Sequence, residues 1–354
     1  MTRPIGKVLV AMSGGVDSSV AAALLREQGH DVVGVTLHLW DAEGENKVGR
    51  CCAPEDREDA RRTCDHLGIP HYVLDERAAF RREVVEPFLD EYRRGRTPTP
   101  CVHCNRTVKL EMLARLADEL GCSHVATGHY AKIVHGPEGT RLFRGRDLDK
   151  DQSYFLFGLS PETRSRLLFP LGDLLKSETR AEGERLGVPN AKKPDSQELC
   201  FVPDGDVAAF TRRERGGEAG GLVVDEEGRV LGKHDEIAAF TIGKRKGLAL
   251  GGGSAPRYVL RIVPDSNTVV VGGAEKLVSK TLEARDGHFL HALPPEGLEA
   301  SVRIRYRHEP APAHVRPTAT GFVAEFVEPQ RAITPGQAAV IYVGDEVIGG
   351  GFIA

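Results

Sequence analysis

The stretch Lys7-Val8-Leu9-Val10-Ala11-Met12-Ser13-Gly14-Gly15-Val16-Asp17-Ser18-Ser19 decides how this chain is read. A short apolar run without polar alternation reads as a strand buried on both faces. It leads straight into a Ser-Gly-Gly turn, and the residues up to about 28 read as a helix stopped by Gly29. Glycines let the backbone approach anionic oxygens, hydroxyls donate to them, and a helix N-terminus adds partial positive charge. The loop therefore predicts a phosphate site at the carboxyl end of a strand. It is not a Walker A loop, because no Gly-Lys-Ser/Thr is present and no lysine in the loop reaches a γ-phosphate. The structural alternative is an ordinary Gly-rich turn with a serine cap.

Working outward, residues 32–39, 71–74 and 124–127 read as further strands. Residues 54–67, 80–94 and 106–120 read as helices, each followed by a glycine (Gly68, Gly95, Gly121). Such alternation predicts an α/β fold: a doubly wound parallel sheet covered on both faces, with ligands at the carboxyl ends of its strands. Residues 141–144 look like a hairpin arm, and 161–169 and 176–186 like helices. From Leu222 the texture changes to short strands separated by turns such as Glu227-Gly228, Asp265-Ser266-Asn267 and Gly344-Asp345. The expected organisation is a catalytic domain over 1–202, a small mixed middle domain over 203–274 and an all-β, barrel-like domain over 275–354.

A length of 354 residues suits two or three domains. No apolar run approaches the ~20 residues of a membrane span, so no membrane association is expected. The net charge of −4 argues against indiscriminate coating of nucleic acid, so any such surface must be a local patch. Seven cysteines, odd in number and irregularly placed, suggest reduced thiols and a cytoplasmic protein.

Two of those thiols stand in Arg96-Thr97-Pro98-Thr99-Pro100-Cys101-Val102-His103-Cys104-Asn105. The alternate prolines stiffen the segment, and Cys104 falls just before a helix expected to begin near Arg106, where the dipole favours thiolate. Cys-x-x-Cys by itself leaves open a zinc half-site, a redox pair or a cluster-ligand pair. The other close pair, Cys51-Cys52, is adjacent and poorly spaced for zinc. Pro194-Asp195-Ser196-Gln197-Glu198-Leu199-Cys200-Phe201 supplies another thiol, and spacing alone does not say that Cys200 meets Cys104. Cys64, on one helical face with Ala60 and Leu67, and Cys122, after a helix stop, read as structural.

The Ser13–Ser19 loop resembles the PP-loop of the ATP pyrophosphatase superfamily. Together with Glu58-Asp59-Ala60, Ala126-Thr127-Gly128-His129-Tyr130, Lys150-Asp151-Gln152-Ser153-Tyr154-Phe155-Leu156, Ala191-Lys192-Lys193, Thr241-Ile242-Gly243-Lys244 and Thr334-Pro335-Gly336-Gln337, the chain resembles the tRNA-specific 2-thiouridylases nearly end to end. That resemblance implies adenylation of the wobble uridine 2-oxygen by ATP, then sulfur transfer from a cysteine persulfide, with release of AMP and pyrophosphate. It implies that Ala11, Met12, Ser13, Gly14, Gly15, Val16, Asp17 and Ser18 bind ATP with Leu37 and Gly128, and that Asp17 helps position Mg2+. Cys104 would be the nucleophile and Cys200 the persulfide carrier, a pair able to close as a disulfide. Thr99, Pro100 and Cys101 would line the target base, and Lys150, Asp151, Gln152, Arg305 and Tyr306 would contact tRNA. His129 and Gln337 would be further tRNA-proximal positions. The partners implied are the tRNA anticodon loop and a sulfur-donor protein.

This chain has Thr99 where many family members carry Asn, and Cys101 where some carry Asp. A third nearby thiol admits an iron–sulfur cluster on Cys101, Cys104 and Cys200, although the thiol-pair route needs only two cysteines. Arg303, Arg305 and Arg307 alternate and are predicted to project from one strand face. Arg93-Arg94-Gly95-Arg96, Arg212-Arg213 and Lys244-Arg245-Lys246 are candidate phosphate contacts or merely solvated faces. The competing readings are another adenylating ligase on the same scaffold, and a non-catalytic tRNA-binding protein whose thiols hold a metal.

Overall fold

The computed structural model describes residues 6–41, 54–137, 139–195, 199–202, 205–217, 220–248, 250 and 256–354. Cys51, Cys52 and the Ser196-Gln197-Glu198 part of the third cysteine motif lie outside the described residues. The chain forms two compact units, one of residues 1–84, 101–205 and 345–347, the other of 85–100, 206–344 and 348–354.

The first unit is built on β1 (Lys7–Ala11), β2 (Asp31–His38), β3 (His71–Asp75), β4 (His124–Ala126) and β7 (Leu167–Leu168). They pair in parallel in the order β3-β2-β1-β4-β7. Val8, Leu9 and Val10 are completely buried, as an apolar strand in the middle of a sheet requires. Helix α1 (Val16–Glu27) uses two faces: Ala22 and Leu25 pack with Val8, Val10, Val32 and Cys64, while Val16, Val20 and Ala23 pack with Tyr130, Leu171 and Val188. Strand order reverses at β1, since β2 and β4 flank it on opposite sides; the crevice beyond its carboxyl end is where doubly wound sheets bind ligands. Helix α2 (Pro54–Leu67) carries Cys64, whose thiol burial pushes up to about 12, which bears out its structural reading. The hairpin is β5 (Ala131–Gly136) with β6 (Gly139–Arg144).

Two local expectations change. The helix expected over 161–169 ends at Ser165, because Leu167 and Leu168 pair with Val125 and Ala126 at the sheet edge. The helix expected from Arg106 begins at Pro100 and runs continuously over 100–119 as α3, with a π-helical turn at Cys104–Lys109. Proline at a helix start loses no hydrogen bond, so Pro100 begins the helix rather than delaying it. Helix α4 (Lys176–Arg185) completes this unit.

The second unit holds α5 (Val207–Arg215) and a four-stranded sheet of β8 (Gly221–Val224), β9 (Val230–His234), β10 (Tyr258–Val263) and β11 (Thr268–Gly272), ordered β10-β11-β8-β9. Its core is Val223, Ile237, Phe240, Val259, Val269 and Val271. Six further strands follow: β12 (Val278–Phe289), β13 (Leu298–Arg303), β14 (Ala311–Pro317), β15 (Gly321–Arg331), β16 (Ala338–Val343) and β17 (Glu346–Ile353). They run β12-β15-β14-β13-β16-β17, and β17 returns to pair with β12, so these six strands close into a barrel, to which the β5–β6 hairpin is joined where Glu346 pairs with Phe143. Residues 85–100 pack with this unit through Phe88 against Phe210 (6.1 Å) and Arg215 on Glu86 and Asp90.

Candidate functional site

The loop after β1 is shaped by its glycines and tied by its serines. Gly14 has a φ of +73°, and a Cβ there would lie 1.9 Å from the Asp56 carbonyl oxygen; only glycine fits. Gly128, after β4, approaches the loop just as closely, since a Cβ would sit 2.6 Å from the Ser18 nitrogen. Ser18 Oγ accepts from the Ser13 N–H and donates to the Gly15 carbonyl. Gly15 stands at the start of α1 and, having no side chain, gives its first-turn amides no cap hydrogen bond. Leu37 lies near the end of β2 and Gly128 just beyond β4, on either side of this loop in the sheet order.

The surroundings of the loop are ionic, and the sequence did not announce them. Asp17, in the first turn of α1, is clasped by Lys176 Nζ at 2.6 and 2.8 Å and accepts a hydrogen bond from the Tyr130 hydroxyl. Lys176, nearly buried at the start of α4, lies 2.9 Å from Asp195, which also receives Lys150 and Arg180, each at 2.8 Å. Burial pulls the Asp195 carboxyl up, but the hydrogen bonds from Lys150 and Lys176 outweigh it and hold the group down at about 2. Under the loop, Lys193 donates to the Gly14 carbonyl, Asp59 and Asp56. Burial disfavours the Lys193 ammonium, yet its hydrogen bonds to Asp56 and Asp59 raise its pKa on balance. Asn190 also donates to the Gly14 carbonyl and to Ser19 Oγ. Lys193 and Asp195 stood inside quoted motifs without a role. Lys176 gave no signal at all, because a lysine opening a charged helix reads as a solvated face.

The cysteines come next. Cys104 is buried and opens the π-helical turn of α3, inside the helix rather than before it, whereas Cys101 is half-buried in the first turn. π-bulges widen a helix locally and are frequent at functional sites. Cys200 is half-buried in a turn, and its neighbour Phe201 packs edge-on against Phe80 (5.6 Å) and Trp40 (6.3 Å). The Arg77–Phe80 helical turn also packs on the Cys104–Lys109 stretch. The Arg77–Phe80 turn therefore lies next to both cysteine-bearing segments, through Phe80 on Phe201 and through its backbone beside Cys104–Lys109. Among the described residues, no group of three or more His, Cys, Asp or Glu side chains is gathered to hold a metal ion, so the three-cysteine cluster set is not assembled there.

The expected tRNA contacts divide. Lys150 is partly exposed, but Asp151 is completely buried, accepting from the Gly145 and Ser153 amides and the Ser153 hydroxyl; it shapes a turn. Gln152 Oε1 accepts from the Tyr130 N–H. His129 stacks edge-on with Phe169 at 5.8 Å beside Thr127, and burial, helped by Lys109, lowers its pKa to about 3. Strand β13 ends at Arg303, so the alternation expected through Arg307 fails: Arg303 is buried under the Tyr306 ring, while Arg305 and Tyr306 lie in the following turn. Arg305 donates to the Arg331 carbonyl and stays half-exposed.

In the second unit Gln337 Nε2 donates to the carbonyls of Thr97 and Pro98, the Ala338 N–H donates to Thr99 Oγ1, and the Thr97 N–H donates to the Pro335 carbonyl. The Thr97 and Thr241 hydroxyls are hydrogen bonded as well. Two distant segments, around Thr241 and over Pro335–Ala338, thus hold one strap, residues 96–100, which runs directly into α3.

Residues 6–204 match a family model described as the tRNA methyl transferase HUP domain, 210–273 the tRNA methyl transferase PRC-barrel domain, and 279–353 the aminomethyltransferase beta-barrel domain. The chain is 52% identical to the tRNA-specific 2-thiouridylase MnmA of Sorangium cellulosum (strain So ce56), over 98% of this chain and 92% of that protein. It is 48% identical to the MnmA of Geobacter metallireducens, over 98% and 96% of the two chains. To that of Carboxydothermus hydrogenoformans it is 50% identical, over 98% and 97%.

Proposed function

The chain belongs to the tRNA-specific 2-thiouridylases, and we propose that it thiolates the wobble uridine of tRNA at position 2 in an ATP-dependent reaction. The observation that supports this reading is a Ser-Gly-Gly loop at the switch point of a parallel sheet, in one unit with two cysteine-bearing segments that both lie against the Arg77–Phe80 turn. The domain models carry methyl-transferase names, yet methyl transfer calls for neither a pyrophosphate loop nor paired thiols.

The uridine 2-carbonyl is a poor electrophile whose oxygen must first become a leaving group. Attack of that oxygen on the ATP α-phosphorus forms a P–O bond and breaks the bond to the β-phosphate, and pyrophosphate leaves with the electron pair. Residues Ala11 to Ser18, with Leu37 and Gly128, hold the nucleotide by backbone amides and hydroxyls. Magnesium commonly takes one or two carboxylates plus phosphate oxygens, and Asp17 supplies such a carboxylate beside the loop; bound there, the ion would offset phosphate charge. The terminal sulfur of a Cys200 persulfide then attacks C2. Cys104 thiolate attacks the Cys200 sulfur, the S–S bond breaks toward the sulfur on C2, and AMP departs. A Cys104–Cys200 disulfide remains, which a dithiol must reduce before the next turnover. A sulfur-donor protein reloads Cys200. The thiol pair accounts for the chemistry with two cysteines and needs no cluster on Cys101.

Thr99, Pro100 and Cys101 line the target base in this reading, with Lys150, Arg305 and Tyr306 toward the RNA. The catalytic, middle and barrel parts are taken as 1–202, 203–274 and 275–354. A thiol–persulfide cycle needs a reducing compartment, so the place of action is the cytoplasm. Incubating the chain with unmodified tRNA, magnesium ATP, a persulfide donor and a dithiol, then digesting the RNA for mass spectrometry, tests the function. A nucleoside heavier by one oxygen-to-sulfur exchange is expected, dependent on ATP. Unaltered tRNA would overturn the reading.

A further inference from the structure

The phosphate loop contains no lysine of its own, and a carboxylate, Asp17, occupies the first turn of the helix that should receive an anion. An uncovered carboxylate there repels pyrophosphate and opposes the attraction of the helix dipole. The fold covers it with Lys176, a residue 159 positions further along the chain. We propose that Lys176 is the pyrophosphate-binding cation of this loop, held in waiting by Asp17 and passing to the phosphate oxygens when magnesium pyrophosphate or ATP arrives. The inference rests on the proposed ATP-dependent reaction and deepens it.

Three features of the geometry support the exchange. The Lys176 ammonium is shared between two carboxylates, Asp17 at 2.6 and 2.8 Å and Asp195 at 2.9 Å, so losing one partner does not strand it. Its place is pre-organised: the Lys176 backbone N–H donates to Asp147, and the ammonium sits 5.7 Å over the Tyr130 ring. Asp195 has alternative cations in Lys150 and Arg180, so it stays compensated when Lys176 turns toward a ligand. Lys193, the other lysine at the loop, is committed underneath to Gly14, Asp56 and Asp59 and serves as a strut.

The alternative is that Lys176 merely neutralises Asp17. Calorimetric titration of magnesium pyrophosphate into the full-length chain, without tRNA, separates the two. Wild type is expected to bind, and Lys176→Met to bind about ten- to hundredfold more weakly, the weight of one hydrogen bond to a charged group. Lys176→Met leaves two facing carboxylates, so folding is checked by thermal melting, and the decisive pair is Asp17→Asn against Asp17→Asn/Lys176→Met titrated with magnesium-free pyrophosphate, where the carboxylate repulsion is gone and the metal plays no part. The double variant is expected to bind at least about tenfold more weakly than Asp17→Asn alone. Equal affinity of those two would mean that the lysine acts only through Asp17, and would overturn the proposal. Failure of wild type to bind would instead sink the reading of the loop and this inference with it.

Discussion

The surroundings of the phosphate loop and the 96–100 strap are both held by residues from far along the chain, but with opposite chemistry. Around the loop the ties are charges: Lys176, Lys193, Lys150 and Arg180 against Asp17, Asp56, Asp59 and Asp195. Around residues 97–99 of the strap they are neutral, with amides, carbonyls and hydroxyls of Thr97, Pro98, Thr99, Thr241, Pro335 and Gln337, and the charged exception is Arg96 at its start, 3.1 Å from Glu91. An ion pair can trade a partner for a charged ligand at little net cost, whereas a buried amide bond must be broken outright. The first arrangement suits a site that admits and releases pyrophosphate. The second suits a segment held fixed within the second unit.

The largest effect should come from a change that geometry forbids on the ionic side. Gly14→Ala drives a methyl into the Asp56 carbonyl at positive φ, and should destabilise the first unit by about 2–4 kcal/mol and abolish magnesium pyrophosphate binding. Retained binding at wild-type affinity would show that the loop is not the phosphate site.

On the neutral side, Gln337→Ala removes two hydrogen bonds and should cost about 1–2 kcal/mol. Pyrophosphate affinity should stay unchanged, since the loop belongs to the other unit and is held by its own ion pairs. If tRNA affinity falls with stability untouched, Gln337 is an RNA contact and not a tie of the strap.

Salt separates the two regions next. Asp195→Asn leaves Lys176, Lys150 and Arg180 crowded without their common anion, and a loss of about 1–3 kcal/mol is expected, smaller at high salt. Thr99→Val should cost about 1 kcal/mol by chemical denaturation and show no salt dependence. Equal salt responses would erase the distinction.

Acid should open the ionic region and spare the strap. The Asp195 carboxyl is held at about 2, so its contribution is present above its ordinary value near 4 and is lost as pH falls through about 2. His129 is depressed to about 3, so between about 6.5 and 3 the unfolded chain takes up the proton and stability falls with pH. His129→Asn should flatten that higher window. Hydrogen exchange corrected for intrinsic rates should show the amides of α1 losing protection while those of Thr97 and Ala338 keep theirs.

The smallest expected effect is at Arg305, in the turn after β13. Arg305→Ala should reduce the log–log salt slope of tRNA binding by about 0.7–0.9 if it meets one phosphate, with folding unaffected. An unchanged slope makes it a solvent-facing cap on the Arg331 carbonyl.

Local sequence determined much of this protein. The apolar run into Ser13-Gly14-Gly15 dictated a buried strand, a turn and a helix, because strand burial, glycine freedom and helix initiation are decided within a few residues. The alternation of strands and helices was equally legible, and so was the change to an all-strand texture after Leu222, although β12 and β15, at 12 and 11 residues, are longer than the short strands expected. Helix starts were less so: Pro100 began a helix expected six residues later, since a proline-rich stretch is compatible with both a stiff loop and a first turn. The arginine alternation after Arg303 misled because a period of two means nothing once the strand has ended. What only tertiary structure decided is which charges and which amides meet. Lys176 finds Asp17 across 159 residues and Gln337 finds Pro98 across 239, and no periodicity encodes such pairs. Each depends on where the chain returns after burying its apolar faces, and that path is set by the packing of the core as a whole.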